Sequence, residues 1–238
     1  MKSVRIILVV SVVLFMAVSQ VSADIIRLYA TQNAQLTTEP GKENTPFLDD
    51  GLTGVFSGSY VNRSIFQFEL PSNLKGMEIT GAKVSLFHWS HYNSGEAVIV
   101  NRLGNDNWSQ ADVTWTNYMA VDATNHFGIS TNLGTRANIS GNAYNDWSLG
   151  LDSIVSDLAD GKLTLLFMFG NEANTGSPRQ LMFYTNHPAN PNNSSGLPNS
   201  GIVPYLELTY NQVPVPASLL LFGPGFAGLA LLRRRFKK

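Results

Sequence analysis

Apolar and polar side chains alternate at every second position in several short stretches of this chain. Residues 79–89 give the clearest example, with Ala82, Val84 and Leu86 on one face of the stretch. The other face carries Lys83, Ser85, Phe87 and Trp89. A period of two is the period of a β-strand. Because the 3.6-residue period of long helices is nearly absent, and Gly, Asn, Ser and Pro separate the stretches, the sequence predicts an all-β fold.

The same patterns predict the positions of the individual strands. Strands are expected at residues 24–36, 64–70, 79–89, 97–103, 163–169, 181–185 and 203–210, with a further short one at 147–151. The strand expected at residues 97–103 is almost wholly apolar, and such a sequence favours a central place in a sheet. Residues 37–58 are expected to form a polar loop, and residues 118–145 are expected to be rich in loops.

One short internal helix is predicted over residues 152–160. Its apolar residues recur at helical spacing. Asp152 or Ser153 is placed to cap its first turn, and Gly161 follows its last turn, where a glycine commonly ends a helix.

The two ends of the chain differ from the body between them. Residues 1–23 combine a basic start, an apolar run and a small-residue site at Ala23, which is the pattern of a secretory signal peptide. Near the other end, the uncharged residues 217–232 would span about 24 Å as a helix. The basic residues 233–238 follow, and such clusters stay on the cytoplasmic side of a membrane. One domain is expected between the ends, at 24–212.

A proline motif and an arginine cluster flank the second apolar run. They comprise Pro214, Val215 and Pro216 before it and Arg233, Arg234 and Arg235 after it. The arrangement resembles the PEP-CTERM sorting signal of Gram-negative bacteria, with valine in place of the family's middle glutamate. The resemblance implies an exosortase-type membrane protease as a partner, transient anchoring in the inner membrane, removal of residues 213–238 and delivery to the cell surface or extracellular matrix. An ordinary single-pass anchor is the alternative.

Acidic and basic residues are distributed differently in the two ends of the chain and in the body between them. Seven of the 16 basic residues lie in the two ends, and all 17 acidic residues lie in residues 24–212, which therefore carry nine basic residues and a net charge of −8. An acidic surface repels phosphate backbones, so nucleic acid is not an expected partner. The chain has no cysteine, which excludes disulfides and thiolate metal sites.

Several motifs of the body resemble those of the DNRLRE-type domain, a jelly-roll-like β-sandwich related to a family of carbohydrate-binding modules. The motifs lie at residues 63–71, 79–87, 108–117, 151–161, 183–185 and 204–210. The resemblance covers nearly all of residues 24–210. It implies a binding domain for extracellular polysaccharide, with Trp108, Trp115 and Trp147 in its core.

Aromatic side chains with polar neighbours are the candidates for such binding, since rings cover the apolar faces of sugars. The candidate ligand-binding residues are Trp89, His91, Tyr92 and Tyr118, with Tyr60 and Tyr144 as further rings. Trp89 shares the outward face of its predicted strand with Lys83. The competing interpretation is that Phe87 and Trp89 pack under a neighbouring loop or against the helix.

A calcium site is a further hypothesis. Asp49 and Asp50 share a loop with Glu43, and carboxylate oxygens are ligands that Ca²⁺ prefers. The spacing does not match an EF-hand, and acidic loops are commonly just solvated. Asp49 and Asp50 are the candidate metal ligands.

No catalytic motif stands out, and the chain is expected not to be an enzyme. It lacks the nucleophile-elbow, zinc-protease and phosphate-loop motifs, and no two carboxylates are singled out as a pair for glycoside cleavage. Two other hypotheses remain open. One is a structural matrix or adhesion protein with protein partners, and the other is a divergent polysaccharide-degrading enzyme.

Overall fold

The computed structural model describes part of the chain, which comprises residues 23–46, 52–92, 96–104, 106–119, 129–172, 178–185 and 202–211. Apart from Ala23, the predicted signal peptide lies outside these residues, and so does the predicted sorting signal. Contacts divide the chain into two compact units. The larger one comprises residues 25–75 and 79–209. In the smaller one, the side-chain amide of Asn211 donates a hydrogen bond to the Glu78 carboxylate at 2.9 Å.

Ten strands dominate the described residues, which confirms the predicted all-β class. They are β1 (Ala23–Thr37), β2 (Leu52–Ser57), β3 (Val61–Glu69), β4 (Glu78–Tyr92), β5 (Val98–Leu103), β6 (Ile129–Arg136), β7 (Ala143–Ser148), β8 (Lys162–Phe169), β9 (Arg179–Tyr184) and β10 (Tyr205–Asn211). The described helices are α1 (Trp115–Met119) and α2 (Leu151–Asp157), with a 3₁₀ turn at Ser72–Leu74.

The strands are hydrogen-bonded in the order β1-β10-β4-β9-β2-β3-β8-β5-β6, and β7 pairs with β4. β1 also pairs with β3, so the sequence of neighbours returns to its start. Pairings of β3 with β1, β2 and β8, and of β4 with β7 and β9, are antiparallel. β5 lies between β6 and β8, as its apolar sequence predicts.

Two strands lie where the sequence predicts loops. β2 falls within residues 37–58, and its six residues pair with β9 from Leu52↔Tyr184 to Ser57↔Arg179. β6 is largely polar and pairs with β5 along its length. The prediction of loops was wrong in both places, because main-chain hydrogen bonds to a neighbour hold these strands and need no alternating pattern.

Around α2, the structure differs from the prediction in the end of β7, in the helix caps and in the end of the helix. The strand expected at 147–151 is β7, which ends at Ser148, and α2 begins at Leu151. The residue at the cap position is Gly150, so neither Asp152 nor Ser153 takes that position. The helix ends at Asp157 and not at residue 160, and Leu158 takes the C-terminal cap position. Gly161, with a φ of 84°, instead closes the turn that follows, where its N–H donates to the Asp157 carbonyl at 2.9 Å.

The core is built from aromatic and aliphatic side chains of the central strands. Trp147 is 1% exposed and makes edge-on ring contacts with Phe167 and Phe183 at centroid distances of 5.3 and 6.1 Å. Its indole N–H donates to the Val98 carbonyl at 3.1 Å, so its one polar atom is satisfied. Burial of each such large side chain contributes about 1.5–3 kcal/mol. Trp108 and Trp115 pack against a second buried cluster, in agreement with a structural role.

Gly134 in β6 provides a test of how closely β6 and β7 approach. A Cβ at this position would lie 2.5 Å from the main-chain oxygen of Ser148. We expect Gly134→Ala to lower the free energy of unfolding by about 1–3 kcal/mol, since a backbone atom must move. Thermal unfolding followed by circular dichroism measures the change.

Gly170→Ala is the matched control for this substitution. At Gly170 the nearest atoms to an added Cβ are 3.5 and 3.8 Å away, which is ordinary van der Waals contact. Its Tm should stay within about 2 °C of the parent chain. Equal stability of the two variants would contradict the close approach of β6 and β7.

Candidate functional site

Three tyrosine side chains lie on the outward side of β1, β10 and β7, and the rings of two of them are in contact. Tyr29 is 54% exposed and Tyr144 is 36% exposed. The ring centroids of Tyr144 and Tyr205 are 5.4 Å apart, and the guanidinium of Arg27 lies 4.9 Å from the centroid of Tyr205. We call Tyr29, Tyr144 and Tyr205 the tyrosine face. Strand alternation places these side chains outward, because Leu206 and Leu208 between the outward residues of β10 are buried.

Tyr144 is the best fixed of the three rings. In the β4–β7 register it lies opposite Phe87, and the two rings make an edge-on contact at 5.3 Å. Its hydroxyl accepts a hydrogen bond from the Val203 N–H at 3.1 Å and donates to the Val203 carbonyl at 3.3 Å. Burial raises the pKa of Tyr144 above its ordinary value of 10.0, so the hydroxyl is protonated at neutral pH. The Tyr144 ring is therefore held in place while part of its surface stays exposed to solvent.

A chain of charged groups runs beside the tyrosine face across four strands. The Glu207 carboxylate accepts a hydrogen bond from Arg27 Nε at 2.8 Å, and its other oxygen lies 3.2 Å from Lys83 Nζ. Lys83 also contacts the Asp146 carboxylate at 3.3 Å, and the Ser85 hydroxyl donates to Asp146 at 2.6 Å. Two positive and two negative side chains thus alternate, and they balance one another in charge.

These contacts set the protonation states of the charged chain. The hydrogen bond from Arg27 lowers the pKa of Glu207 below its ordinary value of 4.5, and Lys83 lowers it further. Burial opposes the charge on Lys83, but hydrogen bonds to Glu207 and Asp146 outweigh burial and raise its pKa. Glu207 and Lys83 are therefore charged at neutral pH, and they present fixed acceptors and donors beside the rings.

The structure separates the two interpretations of the outward face of β4. Phe87 is half-buried between Tyr144 and Tyr184, whose ring centroid is 5.7 Å away, so Phe87 packs against its neighbours. Trp89 is 42% exposed, as a binding ring requires. No ring contact joins Trp89 to the tyrosine face in the described part of the chain, so Trp89 is a separate exposed ring.

The other predicted site residues are placed only in part. His91 and Tyr92 pair through the backbone with Leu181 and Gln180 of β9, and their side chains lie outside the described part. The same holds for the side chain of Tyr118 in α1. Asp49 and Asp50 lie outside the described residues, so calcium binding there stays a prediction. Their loop partner Glu43 accepts hydrogen bonds at its carbonyl from the N–H and hydroxyl of Thr116.

Sequence reasoning missed two members of the tyrosine face. Tyr29 and Tyr205 lie on correctly predicted strands, at positions that alternate with buried residues. Alternation alone could have assigned both rings to the outward side. It could not have placed them together, because that requires β1 and β10 to be neighbours in the sheet.

No protein-family model matches the chain, and no curated protein matches it either. Among the described residues, no helix combines the length and the apolar character that crossing a membrane demands. The predicted membrane helix at 217–232 lies outside those residues. The function must therefore be inferred from the side chains themselves.

The ion pairs of Glu207 predict a pH-dependent contribution to stability. Because its pKa is lowered on folding, the stabilisation is present above about pH 4.5 and is lost as the pH falls through the lower pKa of the folded state. We expect Glu207→Gln to lower the Tm by about 1–3 °C at pH 7 and by progressively less below pH 4. Thermal melts between pH 3 and pH 7 measure the difference.

Glu69→Gln is the control for this titration. Glu69 is exposed and forms no ion pair within the described ranges. Its Tm difference from the parent chain should be small at every pH. A Glu207→Gln difference that is the same at pH 3 and pH 7 would show that its carboxylate charge does not stabilise the fold.

Proposed function

We propose that this chain is a secreted, surface-sorted bacterial β-sandwich that binds extracellular polysaccharide and catalyses no reaction. The observation that carries the proposal is the tyrosine face, where exposed rings lie beside a row of charged side chains. The flat sides of such rings suit the apolar C–H faces of pyranose sugars. The neighbouring Arg27, Lys83, Asp146 and Glu207 offer donors and acceptors for sugar hydroxyls.

The charge balance of the face favours an uncharged glycan over a polyanion. The four charged groups pair with one another, so a ligand with strong charge of either sign would have to break those pairs. Hydroxyl groups can share the existing donors and acceptors without displacing them. The net charge of −8 on residues 24–212 adds a general repulsion of acidic polymers.

We assign the domain to the jelly-roll-like β-sandwiches on two grounds. The strands pair antiparallel and the order of neighbours returns to β1, as expected where two sheets share a strand. The motifs at residues 63–71 and 108–117 resemble the DNRLRE-type domain. That resemblance also supports the link to carbohydrate-binding modules.

The proposed location depends on the two ends of the chain. A signal peptide at 1–23 directs export, and residues 213–238 hold the protein in the inner membrane until an exosortase-type enzyme removes them. The protein then remains at the cell surface or in the extracellular matrix. This part of the proposal is supported by the pattern of prolines, apolar run and arginines alone.

Mature mass tests the sorting proposal. In a host with the exosortase-type enzyme, the isolated protein should begin at Asp24 and end near Gln212. In a host that lacks the enzyme, or when Arg233, Arg234 and Arg235 are together changed to Gln, residues 213–238 should remain attached. Intact mass spectrometry of the surface and membrane fractions measures this. An unprocessed C-terminus in both hosts would leave the ordinary anchor as the explanation.

A protein partner is the second candidate function. Ile25 is 64% exposed on the same outward side of β1 as Tyr29, and an exposed aliphatic residue beside rings suits a protein surface. Pull-down with purified polysaccharides separates the two candidates, since adhesion to protein gives no retention. Release of reducing sugar over time would instead favour the third candidate, a polysaccharide-degrading enzyme.

Truncation of one ring tests polysaccharide binding. Tyr29→Ala removes an exposed ring, and we expect polysaccharide affinity to fall about tenfold, the loss typical of a central contact residue. Tyr144→Phe should bind nearly normally, because the ring remains while its hydroxyl contacts Val203. Affinity electrophoresis in polysaccharide gels measures the retardation.

Tyr60→Ala is the matched control, since Tyr60 stacks on Phe56 at the β2–β3 turn, with a centroid distance of 4.3 Å. It should leave binding unchanged. Trp89→Ala tests the separate ring predicted from the sequence. Loss of binding in Trp89→Ala with normal binding in Tyr29→Ala would move the site away from the tyrosine face.

A further inference from the structure

Three aspartates from separate parts of the chain converge at one end of α2. Asp106 follows β5, Asp157 is the last residue of α2, and Asp160 lies in the turn that leads to β8. One carboxylate oxygen of each lies within 4.8 Å of those of the other two. Asp106 and Asp157 are buried and Asp160 is exposed, so the group reaches from the interior to the surface.

Asp106 is fixed by a network of buried polar groups. The Gln67 side-chain amide donates to the Asp106 carbonyl at 2.6 Å and to the Thr164 hydroxyl oxygen at 3.2 Å. The Trp108 indole N–H donates to the same hydroxyl oxygen at 3.1 Å. Since that oxygen already accepts two hydrogen bonds, the hydroxyl hydrogen is directed to the Asp106 carboxylate, with which it is hydrogen-bonded.

The other carboxylate oxygen of Asp106 has no partner. Asp106 is 9% exposed, and its Oδ1 is buried without a hydrogen bond in the described part of the chain. A buried oxygen without a hydrogen bond is costly to the fold, and more so when charged, so such an atom is a candidate position for a bound water or ion. Burial, followed by the charges of Asp157 and Asp160, raises the pKa of Asp106.

The charge of the group is also incompletely balanced. Arg102 donates to both carboxylate oxygens of Asp157, with Nε distances of 2.9 and 2.7 Å, and so neutralises one of the three carboxylates. Asp160 accepts a hydrogen bond from the main-chain N–H of Lys162, at 3.1 Å. Among the described residues, no second ion pair reaches the group, so two of the three carboxylates have no cationic partner there.

We propose that Asp106, Asp157 and Asp160 bind a Ca²⁺ ion at the C-terminal end of α2. The ligands are oxygen atoms alone, which hard divalent cations prefer. Ca²⁺ bonds of 2.3–2.6 Å place opposite ligands up to about 5 Å apart, whereas Mg²⁺ requires about 4.2 Å or less in a near-ideal octahedron. The three ligand oxygens lie within 4.8 Å of one another, a separation that Ca²⁺ bonds can span. The exposed carboxylate of Asp160 provides the path of entry, and water completes the shell on that side.

This site does not depend on polysaccharide binding, and it differs from the predicted site at Asp49 and Asp50. The bound ion would join the end of α2 to the segment after β5 and to the start of β8. Its role is therefore to stabilise the region that follows β7 and precedes β8. It would also give the two carboxylates that lack an ion pair a cationic partner, and it would bind Asp106 Oδ1.

The test uses the purified full-length chain in mild detergent, stripped with EDTA and returned to Ca²⁺ or Mg²⁺. Isothermal titration calorimetry should give one Ca²⁺ per chain at this site. At a free Ca²⁺ concentration about 100 times the dissociation constant, the Tm should rise by about 5–10 °C, and EDTA should reverse the rise. The same concentration of Mg²⁺ should raise the Tm by less than half as much.

Two variants locate the ion. Asp106→Asn and Asp160→Asn should each weaken Ca²⁺ binding at least tenfold and remove most of the Tm rise. Asp160 is exposed, so its variant should fold even if Asp106→Asn does not. Asp112→Asn is the matched control, because Asp112 is an exposed aspartate in the segment after Asp106, and the variant should bind Ca²⁺ like the parent chain.

Three results would overturn the proposal. The first is the absence of stoichiometric Ca²⁺ binding and of any Tm rise in the parent chain. The second is parental affinity in Asp160→Asn, which would place the ion elsewhere, such as at Asp49 and Asp50. The third is an equal Tm rise with Mg²⁺, which would reject the assignment to Ca²⁺.

Discussion

The central constraint on this structure is the antiparallel pairing of β3 with β8, two strands that are buried on both faces. Residues 64–68 and 163–167 are all buried, and the register runs from Ser64↔Phe167 to Glu69↔Lys162. With no face toward solvent, these strands must be covered on each side and must satisfy every polar side chain internally. The outer edges of this pair are hydrogen-bonded too, because β3 also pairs with β1 and β2, and β8 also pairs with β5. Gln67 and Thr164, opposite each other in this register, form the polar network that holds Asp106.

The sheet has a different character where one face meets water. In the first half of β1, exposed residues alternate with half-buried ones, and in β10 the buried Leu206 and Leu208 alternate with half-buried residues. The outward positions hold the tyrosine face and its charged neighbours. The interior half of the molecule thus fixes the fold, while the outward face supplies the chemistry that we assign to ligand recognition.

Sequence patterns identified the elements whose burial produces a pattern. In β4 the predicted inward residues Ala82, Val84 and Leu86 are buried, as expected. Ser85, on the face predicted to be outward, is buried as well. The sequence did not predict β2 and β6. Main-chain hydrogen bonds to β9 and β5 hold these strands, and such bonds do not depend on the type of side chain. The two candidate sites were harder still. Tyr29 and Tyr205, or Asp106 and Asp157, are distant along the chain and meet only through strand order, which periodicity does not encode.

The placement of β1 beside β10 affects how the chain matures. Arg27 and Glu207 form a hydrogen bond across a separation of 180 residues, so almost the whole body lies between the two strands that this contact joins. Ribosomes make β1 first and β10 last, and long loops close slowly. A nascent chain can therefore bury its β3–β8 interior while β1 still presents an unpaired edge. The tyrosine face and its charged neighbours are therefore completed late in synthesis, since Tyr205 and Glu207 lie in β10.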